Sequence, residues 1–284
     1  MEARKLLFLP LLFLSIGLTS CGRIISPSFA ALDGNWHIAG EQGNKILPPL
    51  QSPLLTFAIG VSGDTVYASG NVGVICSSGT GAIGGTSELI GEIASDGTFQ
   101  LSNSNEPLDS IQITIQGKAP APGSTTWSGN YTVTNGSTAI GCTFNLSSDF
   151  VATLYPPLDG TYSGTITGQG LGSGITVTTQ ITQGTFTSGK LTARSSGSVY
   201  YTPLSATITV SGSPSFTTGT TDASQLLPGS SSIGGNSFAL NFLMNNGSTL
   251  TLTGWFSDPS ETTLQIEGPL FLSGVFGSGT LTRQ

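Results

Sequence analysis

The stretch 161–167 reads Thr-Tyr-Ser-Gly-Thr-Ile-Thr, with apolar and hydroxyl-bearing residues taking turns. The same beat returns in 175–181, 206–210 and 250–256, and earlier in the chain in 111–115 and 130–134. A period of two sends alternate side chains to opposite faces of an extended chain, so these segments predict strands with one wet face. Turn formers stand between them: Ser62-Gly63-Asp64, Ser95-Asp96-Gly97, Thr134-Asn135-Gly136 and Asn245-Asn246-Gly247. Beyond the first twenty residues no stretch carries a sustained helical period. Strands joined by short turns predict an all-β, antiparallel meander that either curls into a small barrel or packs as a two-sheet sandwich.

The pattern comes twice. Leu32-Asp33-Gly34-Asn35-Trp36 returns as Leu158-Asp159-Gly160-Thr161-Tyr162. At nearly the same offset, Trp127-Ser128-Gly129-Asn130-Tyr131 parallels Leu252-Thr253-Gly254-Trp255-Phe256, and Leu146-Ser147 with Phe150 parallels Leu272-Ser273 with Phe276. Three matches in order predict two tandem β domains, 32–157 and 158–284, joined at Tyr155-Pro156-Pro157. About eight strands fit each. The second should close on itself, with 278–282 pairing back to 161–167.

The first twenty residues carry a different signal. Arg4 and Lys5 precede an almost unbroken apolar run from Leu6 to Leu18, too short for a membrane span and right for the core of a secretory signal. The run ends in Leu18-Thr19-Ser20-Cys21. This resembles the lipobox of bacterial lipoproteins. The resemblance implies a signal peptide over 1–20, cleavage before Cys21, and acyl chains on that cysteine. It also implies an envelope location, with Gly22 favouring the outer membrane. Residues 21–31 then read as a lipidated tether, able to reach about 35 Å when extended. Two or three acyl chains hold firmly where one alone binds only marginally.

With Cys21 assigned, Cys76 and Cys142 remain of the three cysteines. An exported chain meets an oxidising compartment, and an even number of cysteines in strand-like stretches reads as a disulfide. Their spacing matches no redox or zinc pattern.

Composition narrows the function classes. Charged residues are only 8% of the chain, and Lys and Arg number 8 against 15 acids. That balance excludes the basic footprint of nucleic-acid binding. Hydrophobic residues reach 37%, enough for a core. Gly34-Asn35-Trp36 resembles the Gly-x-Trp start of the first strand in lipocalins and avidins, where the Trp packs across the closed end of the barrel. Thr125-Thr126-Trp127-Ser128-Gly129 also looks like an avidin strand. The resemblance implies shape. The Trp-rich strands that complete an avidin biotin site are not evident, so biotin binding is not carried over.

The search for chemistry returns structural readings. His37 is the sole histidine and stands beside Trp36 in a strand, with no nucleophile or orienting acid in view. Gly79-Thr80-Gly81-Ala82-Ile83-Gly84 fits a dinucleotide fingerprint by letter but opens no helix, and reads as a flexible loop. Asp33, Asp64, Asp96 and Asp159 stand where turns or repeats begin, where a carboxylate bonds the backbone. Glu88 and Glu92 share a strand face that should be solvated. Trp36, Trp127 and Trp255 are read as core residues. No catalytic residue, cofactor or metal ligand is assigned. The expected function is a non-catalytic envelope lipoprotein with a binding or structural role toward a protein, glycan or small ligand in a barrel mouth. A secreted hydrolase acting on carbohydrate and an integral outer-membrane barrel are the alternatives.

Overall fold

The structure is a computed structural model, described over residues 29–40, 54–75, 82–103, 111–135, 144–169, 171, 173–190, 198–213, 217–221, 230–256, 259–260, 263–270 and 275–284. Cys21, Cys76 and Cys142 lie outside the described residues, as does the signal segment.

A single 3-10 turn, Ala30–Leu32, leads into the first barrel. Its eight strands are β1 (Gly34–Gly40), β2 (Leu54–Ser62), β3 (Thr65–Ile75), β4 (Ala82–Ile93), β5 (Thr98–Asn103), β6 (Ile111–Lys118), β7 (Thr126–Asn135) and β8 (Phe144–Tyr155). Each pairs with the next, and β8 returns to β1, so the sheet closes. A barrel, and not a sandwich, is what the alternating pattern builds.

The second half holds β9 (Gly160–Gln169), β10 (Ile175–Gln183), β11 (Thr187–Lys190), β12 (Ser198–Ser211), β13 (Thr218–Thr220), β14 (Ser232–Gly234), β15 (Ser237–Met244), β16 (Thr249–Phe256), β17 (Thr263–Leu270) and β18 (Val275–Arg283). Both β13 and β14 lie between β12 and β15, so they are two pieces of one stave. Pairing of β10 with β12 closes the ring. Eight staves result, with β11 added outside as a hairpin arm on β12. The expected closure is present: Ser278 faces Thr167, Thr280 faces Thr165 and Thr282 faces Ser163.

The period-two pattern sorts side chains as foreseen. On β10, Ile175, Val177, Thr179 and Ile181 are buried, while Thr176, Thr178, Gln180 and Thr182 are exposed. Apolar inside and polar outside is the inverse of a membrane barrel, whose lipid-facing band is apolar. The first interior is filled by an aromatic cluster around Trp127. Its ring meets Phe150, Phe99 and Trp36 edge to face, with centroids 4.9, 5.2 and 6.1 Å away. Such offset or edge contacts suit the ring quadrupoles. The Trp36 indole N–H donates to the Leu32 carbonyl at 2.8 Å, tying the 3-10 turn to the barrel. Trp255 is the exception among the tryptophans: it points outward from β16 and is half-buried.

The repeated Leu-Asp-Gly motif has one physical role in both barrels. Leu32 and Leu158 are fully buried, as are Trp36 and Tyr162 four residues on. The Asp33 carboxylate accepts the Val61 N–H at 2.7 Å, and Asp159 accepts the Gln183 N–H at 2.7 Å. Val61 stands two residues beyond the partner of Gly34, and Gln183 two beyond the partner of Gly160, so the two latches are equivalent. Gly34 and Gly160 hold φ of 145° and 123°, a region open to glycine and strained for other residues. The match of Trp127 with Leu252 does not survive: Trp127 lies on the seventh stave of its barrel and Leu252 on the sixth of the other.

Each latch joins the entry of a barrel to its second strand by a charged hydrogen bond. Asp33→Ala and Asp159→Ala should each lower stability by about 1–2 kcal/mol, with Asp→Asn, which keeps an acceptor, losing less. Urea unfolding midpoints at constant slope measure this; an unchanged midpoint in both alanine variants would refute the latch.

Candidate functional site

Among the described residues a core of buried side chains occupies each barrel, and a hollow lies between the two. The outward face of β1, β2 and β3 receives the second barrel at three places.

The first is a glycine contact. The hairpin between β14 and β15 turns at Gly235 and Asn236 and presses onto the first barrel. A Cβ on Gly235 would stand 2.4 Å from the Trp36 carbonyl oxygen, and one on Gly234 would stand 2.9 Å from the Cα of Gly70. Gly235 also has φ of 61°. Only a residue without Cβ permits both the turn and the approach.

The second is polar. Asn236 is buried and donates to the Phe256 carbonyl at 3.0 Å, while its Oδ1 has no partner. His37 Nδ1 and the buried Thr56 hydroxyl also lack partners. These atoms converge, since His37 and Thr56 face each other across β1 and β2, and Gly235 packs on Thr56. The imidazole Nδ1–H tautomer, donating to Asn236 Oδ1, satisfies two of the three. Burial holds the His37 pKa below its ordinary value, and the Asn236 hydrogen bond acts in the opposite direction. Tyr155 meets the His37 ring edge on, 6.0 Å away.

The third is aromatic. Phe186, from the 184–186 connection after β10, lies against Gly60, where a Cβ would stand 2.2 Å from its ring. Tyr200 on β12 stacks on Tyr67 of β3 with centroids 4.2 Å apart and 22° between planes. Phe186 and Tyr200 are parallel neighbours, 6.4 Å apart at 9°. The Tyr200 N–H donates to the Glu88 carboxylate at 3.2 Å. Glu88 is therefore half-buried, not solvated as its alternation implies, and burial raises its pKa while that N–H lowers it. Glu92, four residues on, is exposed.

Between these contacts opens a cleft of about 580 Å³. Asp33, Asn35, Tyr67, Gln183, Phe186 and Tyr200 line it, with the hydroxyls of Thr185 and Ser188 at its rim. Gln183 ties its floor. Its side-chain oxygen accepts the Asn35 amide at 3.0 Å and the Leu158 N–H at 2.9 Å, while its own N–H is held by Asp159. Burial raises the Asp33 pKa, and the Val61 N–H partly offsets this. A volume of this size falls in the range of small-molecule sites. Among the described residues no group of three His, Cys, Asp or Glu converges as a metal site.

Sequence reasoning placed Asp33 and Glu88 on the right elements but did not bring them to this cleft, and it missed Phe186, Tyr200 and Gln183. Two signals were available: a lone Phe in the polar run 183–188, and Gly60 inside an apolar strand, which marks a close approach. Of the run 79–84, read as a loop, Ala82, Ile83 and Gly84 belong instead to β4 and pair with β3, while 79–81 lie outside the described residues.

The joint gives the protein a pH response of known sign. A histidine whose folded pKa lies below its unfolded value contributes stability above about pH 6.5, and that stability is lost as pH falls through the folded pKa. Thermal midpoints of wild type and His37→Gln should therefore diverge between pH 7 and pH 5, the wild type losing more. Parallel curves would show that His37 stays solvated in both states.

No family model and no curated protein matches the chain. Among solved structures, it is similar to a double mutant of the vaccine antigen Transferrin Binding Protein B from Haemophilus parasuis Hp5, at 10% identity and a TM-score of 0.17, over 81% of this chain and 60% of that one.

Proposed function

We propose that this is a non-catalytic, lipid-anchored protein of the bacterial envelope that binds a small polar ligand in the cleft between its two barrels. The carrying observation is the cleft itself: about 580 Å³, with aromatic faces, amides and hydroxyls converging on one hollow. The buried cores of the described residues in both barrels support a site between the barrels over one in a barrel mouth. The acids near the cleft each accept a backbone N–H, Asp33 from Val61 and Glu88 from Tyr200. That arrangement fixes strands and supports binding over hydrolysis. Polar outward positions such as those of β10 support a lipid anchor over a membrane-embedded barrel. A ligand-observed NMR screen of small polar molecules should return binders to the wild type that are lost in Ser188→Trp, which fills the exposed rim. Binders indifferent to that substitution, or none at all, would refute the cleft as the site.

The anchor is assigned to Cys21, after cleavage of 1–20, by resemblance to the lipobox. The domains 32–157 and 158–284 keep one barrel each. A disulfide between Cys76 and Cys142 is assigned to the first. β3 and β7 run in the same direction and end at Ile75 and Asn135, on one end of the barrel and four strands apart. The bond would thus close across that end, and a loop of this length is worth up to about 4 kcal/mol in the chain-entropy model. Peptide mapping of native protein without reductant should recover an N-terminal peptide that begins at acylated Cys21, together with the linked Cys76 and Cys142 peptides. Recovery of an unacylated Cys21, or of alkylated Cys76 and Cys142, would remove the corresponding assignment.

A further inference from the structure

The chemistry of the cleft narrows its ligand. Its rings are parallel: Tyr67 on Tyr200 at 22°, and Tyr200 beside Phe186 at 9°. Parallel rings make a step. They do not enclose a point, as the aromatic cages that hold quaternary ammonium ligands do. Asp33 is the one charged residue among the described lining residues. An anionic ligand would lie beside that carboxylate with no cation to offset the cost of its desolvation. The amides of Asn35 and Gln183 are spent on each other and on backbone groups, so the polar groups left for a ligand are the exposed hydroxyls of Thr185 and Ser188, each able to both donate and accept. A ligand that fits has one apolar C–H face to lay on a ring and a rim of neutral hydroxyls.

From this geometry we infer that the cleft binds a neutral saccharide, its pyranose face against Phe186 and Tyr200 and its hydroxyls toward the Thr185–Ser188 rim. Hydrogens on the C–H face carry partial positive charge and meet the negative face of the ring. Ring hydroxyls both donate and accept, which the Thr185 and Ser188 hydroxyls can match and a lone carboxylate cannot. The inference rests on the cleft being the binding site and adds the class of ligand.

The test is isothermal titration of the full chain with maltotetraose, cellotetraose and chitotetraose, against tetragalacturonate as the acidic oligosaccharide and choline as the cation. Phe186→Ala removes a ring, and Ser188→Trp blocks the rim at an exposed position across from Tyr200; thermal melting confirms that each is folded. At least one neutral tetrasaccharide should bind, and its affinity should fall at least tenfold in both variants, with tetragalacturonate and choline silent. If Phe186→Ala does not fold, Ser188→Trp decides alone. Cleft-dependent binding of only tetragalacturonate or choline would overturn the saccharide and leave the cleft as a site. Absence of binding by every neutral tetrasaccharide, or binding indifferent to the folded variants, would overturn it too.

Discussion

The closure of each sheet on its own first strand is the constraint on which the rest depends. A chain with 8% charged residues has few lysines or glutamates to guard an open strand edge. Strands rich in Thr, Ser and Gly also lack the apolar weight to hold a register by packing alone. Pairing β8 with β1 and β18 with β9 removes the edges and satisfies the backbone at once. The Asp33 and Asp159 latches act where that closure begins, fixing the entry strand against its neighbour before the meander runs round to meet it.

Closure leaves the outside of each barrel as the surface on which everything else is built. Polar alternation covers most of it with Thr and Gln. The exception is the patch over β1, β2 and β3, where Gly60 on the first barrel and Gly234 and Gly235 on the second remove side chains and allow the approach. Glycine therefore works here by absence: Phe186 occupies the room above Gly60, and the backbone of the first barrel occupies the room that a Cβ of Gly234 or Gly235 would need. A cleft survives because the contacts are discrete, aromatic at one place and backbone-on-backbone at another, with the Gln183 amide spanning the gap between them.

Much of the fold was legible because its signals are local. Alternation in 175–181 names a strand and its buried face without any knowledge of neighbours, and Asn245-Asn246-Gly247 names a turn with Gly247 at φ of 81°. The closing pair of the second barrel followed from the motif at 158–162 and the pattern at 278–282. The site was not legible in the same way. Glu88 reads as a wet residue by alternation, and on an isolated barrel it would be one; only the arrival of Tyr200 from the other barrel buries it. The same holds for Asn236, which sits in the turn between β14 and β15 and comes to His37 and Thr56, neighbours across β1 and β2, only when the barrels dock. Sequence periodicity speaks of one sheet at a time, and the cleft belongs to two.

The meeting of first and last strands also bears on how such a chain can grow. Asn35 faces Tyr155 at the seam of one barrel, and Tyr162 faces Arg283 at the seam of the other. Each unit thus begins and ends at the same place on its own wall, and residues 156–159 suffice to pass from one to the next. A gene segment encoding such a unit can be copied in tandem without altering any pairing inside the parent, because the copy enters and leaves at a point already on the surface. Once two copies stand side by side, glycines such as Gly60 and Gly235 let their walls approach, and the surface they share joins residues that no single barrel brings together.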